Sequence, residues 1–167
     1  MPYPTESQGW RSVLGDKWLI LDSDAVISIL SNNQLYVFDE IKEAGVNLLY
    51  IHPVLLELMN TNSATDKLRR TKLLVDYDFT ELPLTATEIR LAARIQKSLP
   101  LKCQPSPTDL YLGGTLARHN NGNTFLLTAN IRDFPMPIYS REGHVIIQTD
   151  FNLKTLTILS IDHSMLI

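Results

Sequence analysis

The stretch Trp18-Leu19-Ile20-Leu21-Asp22-Ser23-Asp24 decides the fold of this chain. Four consecutive apolar residues are typical of a strand that is buried on both faces, as in a parallel sheet between two layers of helices. The apolar run stops at the Asp-Ser-Asp triplet, and the segment that follows it, residues 25–30, is predicted to form a helix. Similar apolar runs at residues 46–51 and 124–128 predict two more buried strands.

Helices are predicted between these strands, which gives the chain an alternating order. Ser63-Ala64-Thr65-Asp66 and Thr85-Ala86-Thr87-Glu88 have capping-box patterns, the first with Asp in place of the more usual Glu. Pro107 is typical of a first helical turn and is expected to start a helix that runs to about residue 119. This alternation predicts an α/β fold, a three-layer sandwich with a central, mostly parallel sheet. Further helices are expected at residues 34–44 and from residue 52 onward, and further strands at residues 79–84, 145–147 and 155–161.

Length and composition limit the organisation of the chain. Its 167 residues suffice for one domain, expected at residues 18–167, with residues 1–17 as an N-terminal extension. A net charge of −3 excludes a globally basic nucleic-acid binder but permits a local basic patch. Cys103 is the only cysteine, which excludes a disulfide framework and a cysteine-based zinc site. Because we find no membrane-length apolar run and no signal-peptide pattern, we expect a soluble cytoplasmic protein with no membrane partner.

Carboxylates are the remaining candidates for chemistry. The sequence contains no GxxxxGK[ST], GxGxxG, HExxH or GxSxG pattern, and its four histidines lack metal-ligand spacing. Asp22 and Asp24 directly follow the first strand, and Asp133 follows the strand at residues 124–128. Ligands in open α/β sheets bind beyond the carboxyl ends of the strands, so these acids are candidate site residues, whereas Ser23 is expected to face away or to cap the next helix. The alternatives are a helix-capping Asp22 or Asp24 and an Asp133 in an ordinary loop turn.

Two further acids lie on predicted helices. Glu57 is embedded in an apolar helix stripe, where a carboxylate is costly unless something compensates it, although a place on the solvent edge of the helix is the alternative. Asp109 follows Ser106 by three residues, and an acid in a first turn complements the helix dipole, which would suffice as a structural role. Two adjacent glycines, Gly113 and Gly114, cost on the order of 1 kcal/mol each within a helix. They predict tight packing of this helix on the sheet, which would hold Asp109 at a fixed depth.

The coincidence of these acids is more informative than any one of them. A cluster of carboxylates repels itself unless cations bind, and hard oxygen ligands select Mg²⁺ or Mn²⁺. Such a pocket suits metal-assisted phosphodiester hydrolysis, in which bound metal activates water and stabilises the attacking and leaving oxygens.

Four segments of the chain carry a family resemblance. They are Leu19-Ile20-Leu21-Asp22-Ser23-Asp24, Val54-Leu55-Leu56-Glu57-Leu58, Pro107-Thr108-Asp109 and Leu127-Thr128-Ala129-Asn130-Ile131-Arg132-Asp133-Phe134. In this order and spacing, over residues 18–138, the chain resembles PIN-domain nucleases, most of all the VapC-type toxins of toxin–antitoxin pairs. The last segment is the most specific of the four.

The resemblance implies a PIN-like domain with Mg²⁺- or Mn²⁺-dependent endoribonuclease activity. The implied catalytic and metal-binding quartet is Asp22, Glu57, Asp109 and Asp133, with Thr128 and Asn130 as supporting polar groups. It also implies a homodimer and a small antitoxin partner that obstructs the site. The family commonly has Asn at the position of Asp24, so this chain carries an extra negative charge there. Residues 1–17 and the tail after Phe134 lie outside the family pattern.

An RNA substrate requires cations near an acidic pocket. Candidates lie on two predicted helices, although solvated helix faces are the alternative for most of them. They are Arg69, Arg70 and Lys72 on the first helix, and Arg90, Arg94 and Lys97 on the second.

Two other classes of function compete with the nuclease. Asp22-Ser23-Asp24-Ala25-Val26 fits the nucleophile motif of haloacid-dehalogenase-type phosphatases, and Thr128 fits their strand-end hydroxyl. After Thr128, however, the only lysine is Lys154, and a single acid, Asp162, follows it instead of the acid pair that such phosphatases need. The third class is a non-catalytic interaction module that retains a PIN-like fold.

Overall fold

The computed structural model describes residues 12–166. Most of the expected N-terminal extension, residues 1–17, therefore lies outside the described residues. Within the described part of that segment, the side chain of Leu14 is fully buried in the core. The Lys17 amide donates to the Leu14 carbonyl at 2.9 Å, which closes a turn directly before the first strand.

The fold is a mixed α/β fold around one six-stranded sheet in the order β3-β2-β1-β4-β6-β5. The strands are β1 (Trp18–Leu21), β2 (Asn47–Ile51), β3 (Thr80–Leu82), β4 (Thr124–Thr128), β5 (Tyr139–Gln148) and β6 (Leu153–Ile161). The α-helices are α1 (Ser23–Ser31), α2 (Tyr36–Glu43), α3 (His52–Met59), α4 (Ala64–Asp76), α5 (Ala86–Ser98) and α6 (Pro107–Arg118). None of the helices in residues 12–166 has the length and apolarity that crossing a membrane requires.

The first four strands of the chain are parallel, which confirms the prediction of a mostly parallel α/β sheet. β1 pairs in parallel with both β2 and β4, and β2 pairs in parallel with β3. The chain moves outward from β1 to β3 and then returns across the sheet to β4. Because such crossovers are right-handed, helices α1–α4 cover one face and helices α5 and α6 cover the other.

The last two strands form an antiparallel hairpin that extends the sheet beyond β4. β5 and β6 have 10 and 9 residues, so both are longer than the predicted strands at residues 145–147 and 155–161. The sequence signal underestimated β5 because an outer antiparallel strand alternates buried and exposed residues, whereas the prediction rested on continuous apolar runs. β6 exceeds its prediction only by Leu153 and Lys154. β4, by contrast, is buried at all five positions and was predicted in full.

The two glycines of α6 pack against different partners. A Cβ atom at Gly113 would overlap the hydroxyl of Tyr139 in β5, so this residue faces the sheet as predicted. A Cβ atom at Gly114 would overlap the Glu88 carbonyl oxygen and lie 3.0 Å from the Ala92 amide nitrogen, both in α5. The predicted tight packing on the sheet therefore accounts for Gly113, whereas Gly114 allows a close approach to the backbone of a neighbouring helix.

We expect Gly114→Ala to destabilise the protein by about 1–3 kcal/mol, because backbone atoms of α5 cannot move aside as a side chain can. The corresponding fall in Tm is roughly 3–10 °C for a chain of this size, measured by circular dichroism. Gly143→Ala is the matched control, since its Cβ would make an ordinary 3.4 Å contact with Ile158. Equal Tm values for the two variants would contradict the close helix contact.

Candidate active site

Asp22 lies where the central pair of parallel strands ends. Its amide continues the β1–β4 ladder by donating to the Leu127 carbonyl at 3.0 Å. The hydroxyl of Thr128 donates to Oδ2 of Asp22 at 2.6 Å, and both residues are buried. Asp22 occupies the N-cap position of α1, yet its side chain makes no capping hydrogen bond. The capping alternative for Asp22 is therefore wrong, while Asp24 lies exposed in the first turn of the same helix.

Ser23 belongs to this site, contrary to the prediction that it faces away. Its buried hydroxyl donates to Oε2 of Glu57 and lies 3.4 Å from Oδ1 of Asp22. The prediction applied strand alternation to a residue that already belongs to α1, where the side-chain direction follows the helical period. Glu57 is half-buried on α3, so it contacts the site rather than lying on an exposed helix edge.

Asp109 combines a structural role with a place in the site. It forms a capping box with Ser106, whose amide and hydroxyl donate to Oδ2 of Asp109 at 2.9 and 2.6 Å. The predicted structural role at the start of α6 is thus confirmed. Burial raises the pKa of Asp109, and the nearby charges of Asp133 and Glu57 raise it further, while the hydrogen bonds from Ser106 oppose them.

Asp133 lies in a short 3-10 turn, Ile131–Asp133, just beyond the end of β4. The side-chain amide of Asn130 donates to Oδ2 of Asp133, and the Asn130 backbone amide donates to the Thr128 hydroxyl oxygen at 3.0 Å. The end of β4 therefore holds two acids through neutral polar groups, Asp22 through Thr128 and Asp133 through Asn130. These two supporting residues were both predicted from the sequence.

The acids form one electrostatic cluster. Burial raises the pKa of Asp22 from 3.8 to about 7, the Thr128 hydrogen bond lowers it, and the charges of Asp109, Asp24 and Glu57 add to the rise. The charges of Asp133 and Glu57 in turn raise the pKa of Asp109, so charge interactions through Asp109 connect the four predicted quartet acids. At neutral pH the folded protein therefore carries a repulsion that a bound cation would relieve.

The donor set fits a hard divalent cation in its chemistry. All the candidate donors are oxygens, which Mg²⁺ and Mn²⁺ prefer. Within residues 12–166, however, no three His, Cys, Asp or Glu side chains converge closely enough to hold a metal ion. Each quartet acid instead accepts a hydrogen bond from a neutral neighbour: Asp22 from Thr128, Glu57 from Ser23, Asp109 from Ser106 and Asp133 from Asn130. Sharing one ion would require these carboxylates to turn toward each other.

Three of the four arginines considered for RNA binding donate hydrogen bonds to backbone carbonyls. Arg69 donates to Leu30 at 3.1 Å and Arg70 to Leu58 at 2.6 Å, near the C-terminal ends of α1 and α3. Arg94 donates to the carbonyl of Leu166 at 3.2 Å. A cation at a helix C-terminus stabilises the helix dipole, so Arg69 and Arg70 have a structural role that their sequence positions did not indicate. Arg90 lies exposed on α5.

We expect Asp22→Asn to stabilise the metal-free protein, and to do so more at pH 8 than at pH 5. Burial raises the pKa of Asp22 from 3.8, its ordinary value in an unfolded chain, to about 7 in the folded state. Between these pH values the folded state therefore binds a proton that the unfolded chain has lost. Unfolding free energy therefore falls as pH rises from about 4 to 7 in the parent protein, and Asn removes this fall.

The advantage of Asp22→Asn should grow by about 2–3 kcal/mol between pH 5 and pH 8, measured by thermal or urea unfolding in chelator. Asp150→Asn, an exposed acid in the turn between β5 and β6, controls for the change in net charge. If Asp22→Asn raises the free energy of unfolding by the same amount at both pH values, burial does not raise the pKa of Asp22.

Comparisons with known proteins do not assign a family to the chain. No family model matches it, and no curated protein matches it. Among solved structures, an uncharacterized protein from Listeria monocytogenes serotype 4b is similar at a TM-score of 0.39 and 8% sequence identity. The match covers 96% of this chain and 69% of that one.

Proposed function

We propose that this protein is a Mg²⁺- or Mn²⁺-dependent endoribonuclease of the PIN-domain type, with Asp22, Glu57, Asp109 and Asp133 as its acidic quartet. The observation that carries the proposal is the electrostatic cluster itself. Four separate segments supply these acids, and two of the carboxylates are buried with raised pKa values. Clustered acids of this kind destabilise the folded state, and such arrangements are concentrated at functional sites.

The proposed division of labour follows from the hydrogen bonds. A divalent cation held by the quartet would supply an activated water and would stabilise the attacking and leaving oxygens of the phosphodiester. Thr128 orients the carboxylate of Asp22, and Asn130 orients that of Asp133. Ser23 holds Glu57 beside Asp22, so removal of this hydroxyl would free Glu57 to move. These neutral residues position the acids and are not themselves catalytic residues.

The sequence resemblance extends the proposal to a biological role. We propose that the enzyme is the toxin of a toxin–antitoxin pair, that it forms a homodimer, and that a small antitoxin protein obstructs the acidic cluster. We further propose that it acts in the cytoplasm, where its RNA substrate is found. Support for the toxin role, the homodimer and the antitoxin comes from the four sequence segments that resemble VapC-type toxins.

The position of Lys154 argues against the phosphatase hypothesis. Lys154 Nζ donates to the hydroxyl of Ser28 in α1 at 2.6 Å. The charges that raise the pKa of Asp22 belong to carboxylates, whereas a phosphatase nucleophile of the haloacid-dehalogenase type would need a lysine beside it. A non-catalytic module remains the main alternative, and it is separated from the nuclease by cation binding.

We expect the purified protein to cleave a labelled single-stranded RNA in Mg²⁺ or Mn²⁺ and to stop doing so in chelator. Asp22→Asn should reduce the rate by at least about 100-fold while the protein stays folded, because a charged ligand becomes neutral. Asp76→Asn is the matched control: it removes an exposed acid that forms an ion pair with Lys72 on the same helix. Cleavage by Asp22→Asn at the rate of the parent protein would remove Asp22 from the site.

Glu57→Gln should weaken Mn²⁺ binding by roughly 10-fold or more, because it replaces a charged oxygen donor by a neutral amide. Isothermal titration of the folded variant and of Asp76→Asn against the parent protein measures this effect without any RNA. A parent protein that binds no Mn²⁺ would favour the non-catalytic module. Identical titrations for the parent protein and for Glu57→Gln would remove Glu57 from the quartet.

A further inference from the structure

A surface depression of about 510 Å³ lies beside the acidic cluster, on the β5–β6 hairpin. Its walls come from the residues that follow β4, including Ala129, and from both strands of the hairpin. The polar side chains among its lining residues are those of Arg141, Glu142, His144, Thr155 and Thr157. Because Ala129 lies between Thr128 and Asn130, the depression is adjacent to the candidate site.

Strand register connects the depression to Asp22. Thr128 in β4 pairs with Thr157 in β6, and Thr157 pairs with His144 in β5. Directly paired residues project from the same face of a sheet, so Thr128, Thr157 and His144 form one row. The hydroxyl of Thr128 at the start of this row donates to Asp22. Strands are about 4.8 Å apart, which places His144 about 10 Å from Thr128.

A β-bulge brings a cation into the same depression. Arg141 pairs with Leu159 and Gly143 pairs with Ile158, so Glu142 is the extra residue of β5. Without the bulge, Arg141 and His144 would project from opposite faces, because they are three residues apart in a strand. With it, Arg141 lies on the same face as His144, and both line the depression.

The carboxylate of Glu142 faces away from this row. It accepts a hydrogen bond from the hydroxyl of Ser160, the neighbour of Leu159 and thus a residue of the opposite face. The depression therefore presents the exposed guanidinium of Arg141, the imidazole of His144 and the hydroxyl of Thr155, while the carboxylate of Glu142 on its wall accepts the hydrogen bond from Ser160. This is the donor chemistry that contacts nucleic-acid phosphates, and a guanidinium can bind phosphate through two hydrogen bonds.

We propose that this depression binds the sugar–phosphate backbone of single-stranded RNA next to the scissile bond, with Arg141 as its phosphate contact. The inference rests on the proposed nuclease function and deepens it. An acidic cluster repels RNA, so the flanking phosphates need donors nearby, and the exposed side chains of His144 and Arg141, on the same sheet face as Thr128, supply them. Arg69, Arg70 and Arg94 donate to backbone carbonyls, whereas Arg141 lines the depression itself.

The test measures RNA binding apart from cleavage. A fluorescently labelled single-stranded RNA is titrated, in chelator, against Asp22→Asn and against the same protein with Arg141→Gln added. We expect Arg141→Gln to weaken binding by about 5- to 10-fold at low salt and to make the slope of log affinity against log salt shallower by about 0.7. Lys67→Gln is the matched control, an equal loss of charge at an exposed position of α4.

Four outcomes separate this inference from the proposed function. A larger loss for Arg141→Gln than for Lys67→Gln supports the RNA-binding depression, even if the parent protein cuts no RNA and the nuclease proposal fails. Equal losses for the two variants overturn the depression, even if the parent protein is an active nuclease. Undetectable RNA binding by Asp22→Asn at tens of micromolar also overturns it. If the parent protein is active, an Arg141→Gln variant with raised KM and unchanged kcat supports a binding role.

Discussion

The parallel pairing of β1 with β4 is the constraint on which the rest of this site depends. The register runs from Trp18 opposite Thr124 to Leu21 opposite Leu127, so Asp22 and Thr128 leave the sheet side by side. A shift of one residue would exchange the faces of the strand and turn Thr128 away from Asp22. Such a shift would also displace the buried apolar side chains of both strands, since every residue of β4 is buried.

Within residues 12–166, the hydrogen bonds that hold the quartet acids come from neutral donors. Ser23, Ser106, Thr128 and Asn130 each donate to one quartet acid, which offsets part of the desolvation of that acid. A lysine or arginine in the same position would neutralise the charge and compete with any metal ion. Hydroxyl and amide donors orient the carboxylates and leave their charge uncompensated.

Local patterns predicted the parts of the fold that depend on local physics. The N-cap at Ser63, the capping box at Thr85, the buried strands and the acids at strand ends all follow from residues that lie close together in the chain. The roles of Ser23 and Arg70 were not predicted because their partners are distant in sequence. Ser23 donates to Glu57, 34 positions away, and Arg70 donates to a carbonyl on another helix. No pattern within one segment contains that information.

The antiparallel hairpin has a consequence for how the chain can be divided. The family resemblance ends before β5 begins, so a fragment that stops at residue 138 would keep all four acids. That fragment would lose β6 and leave the outer backbone groups of β4 unpaired, although β4 is fully buried in the intact sheet. An exposed, apolar edge of this kind is a template for aggregation. The segment that carries the four acids is therefore shorter than the segment that completes the sheet around β4.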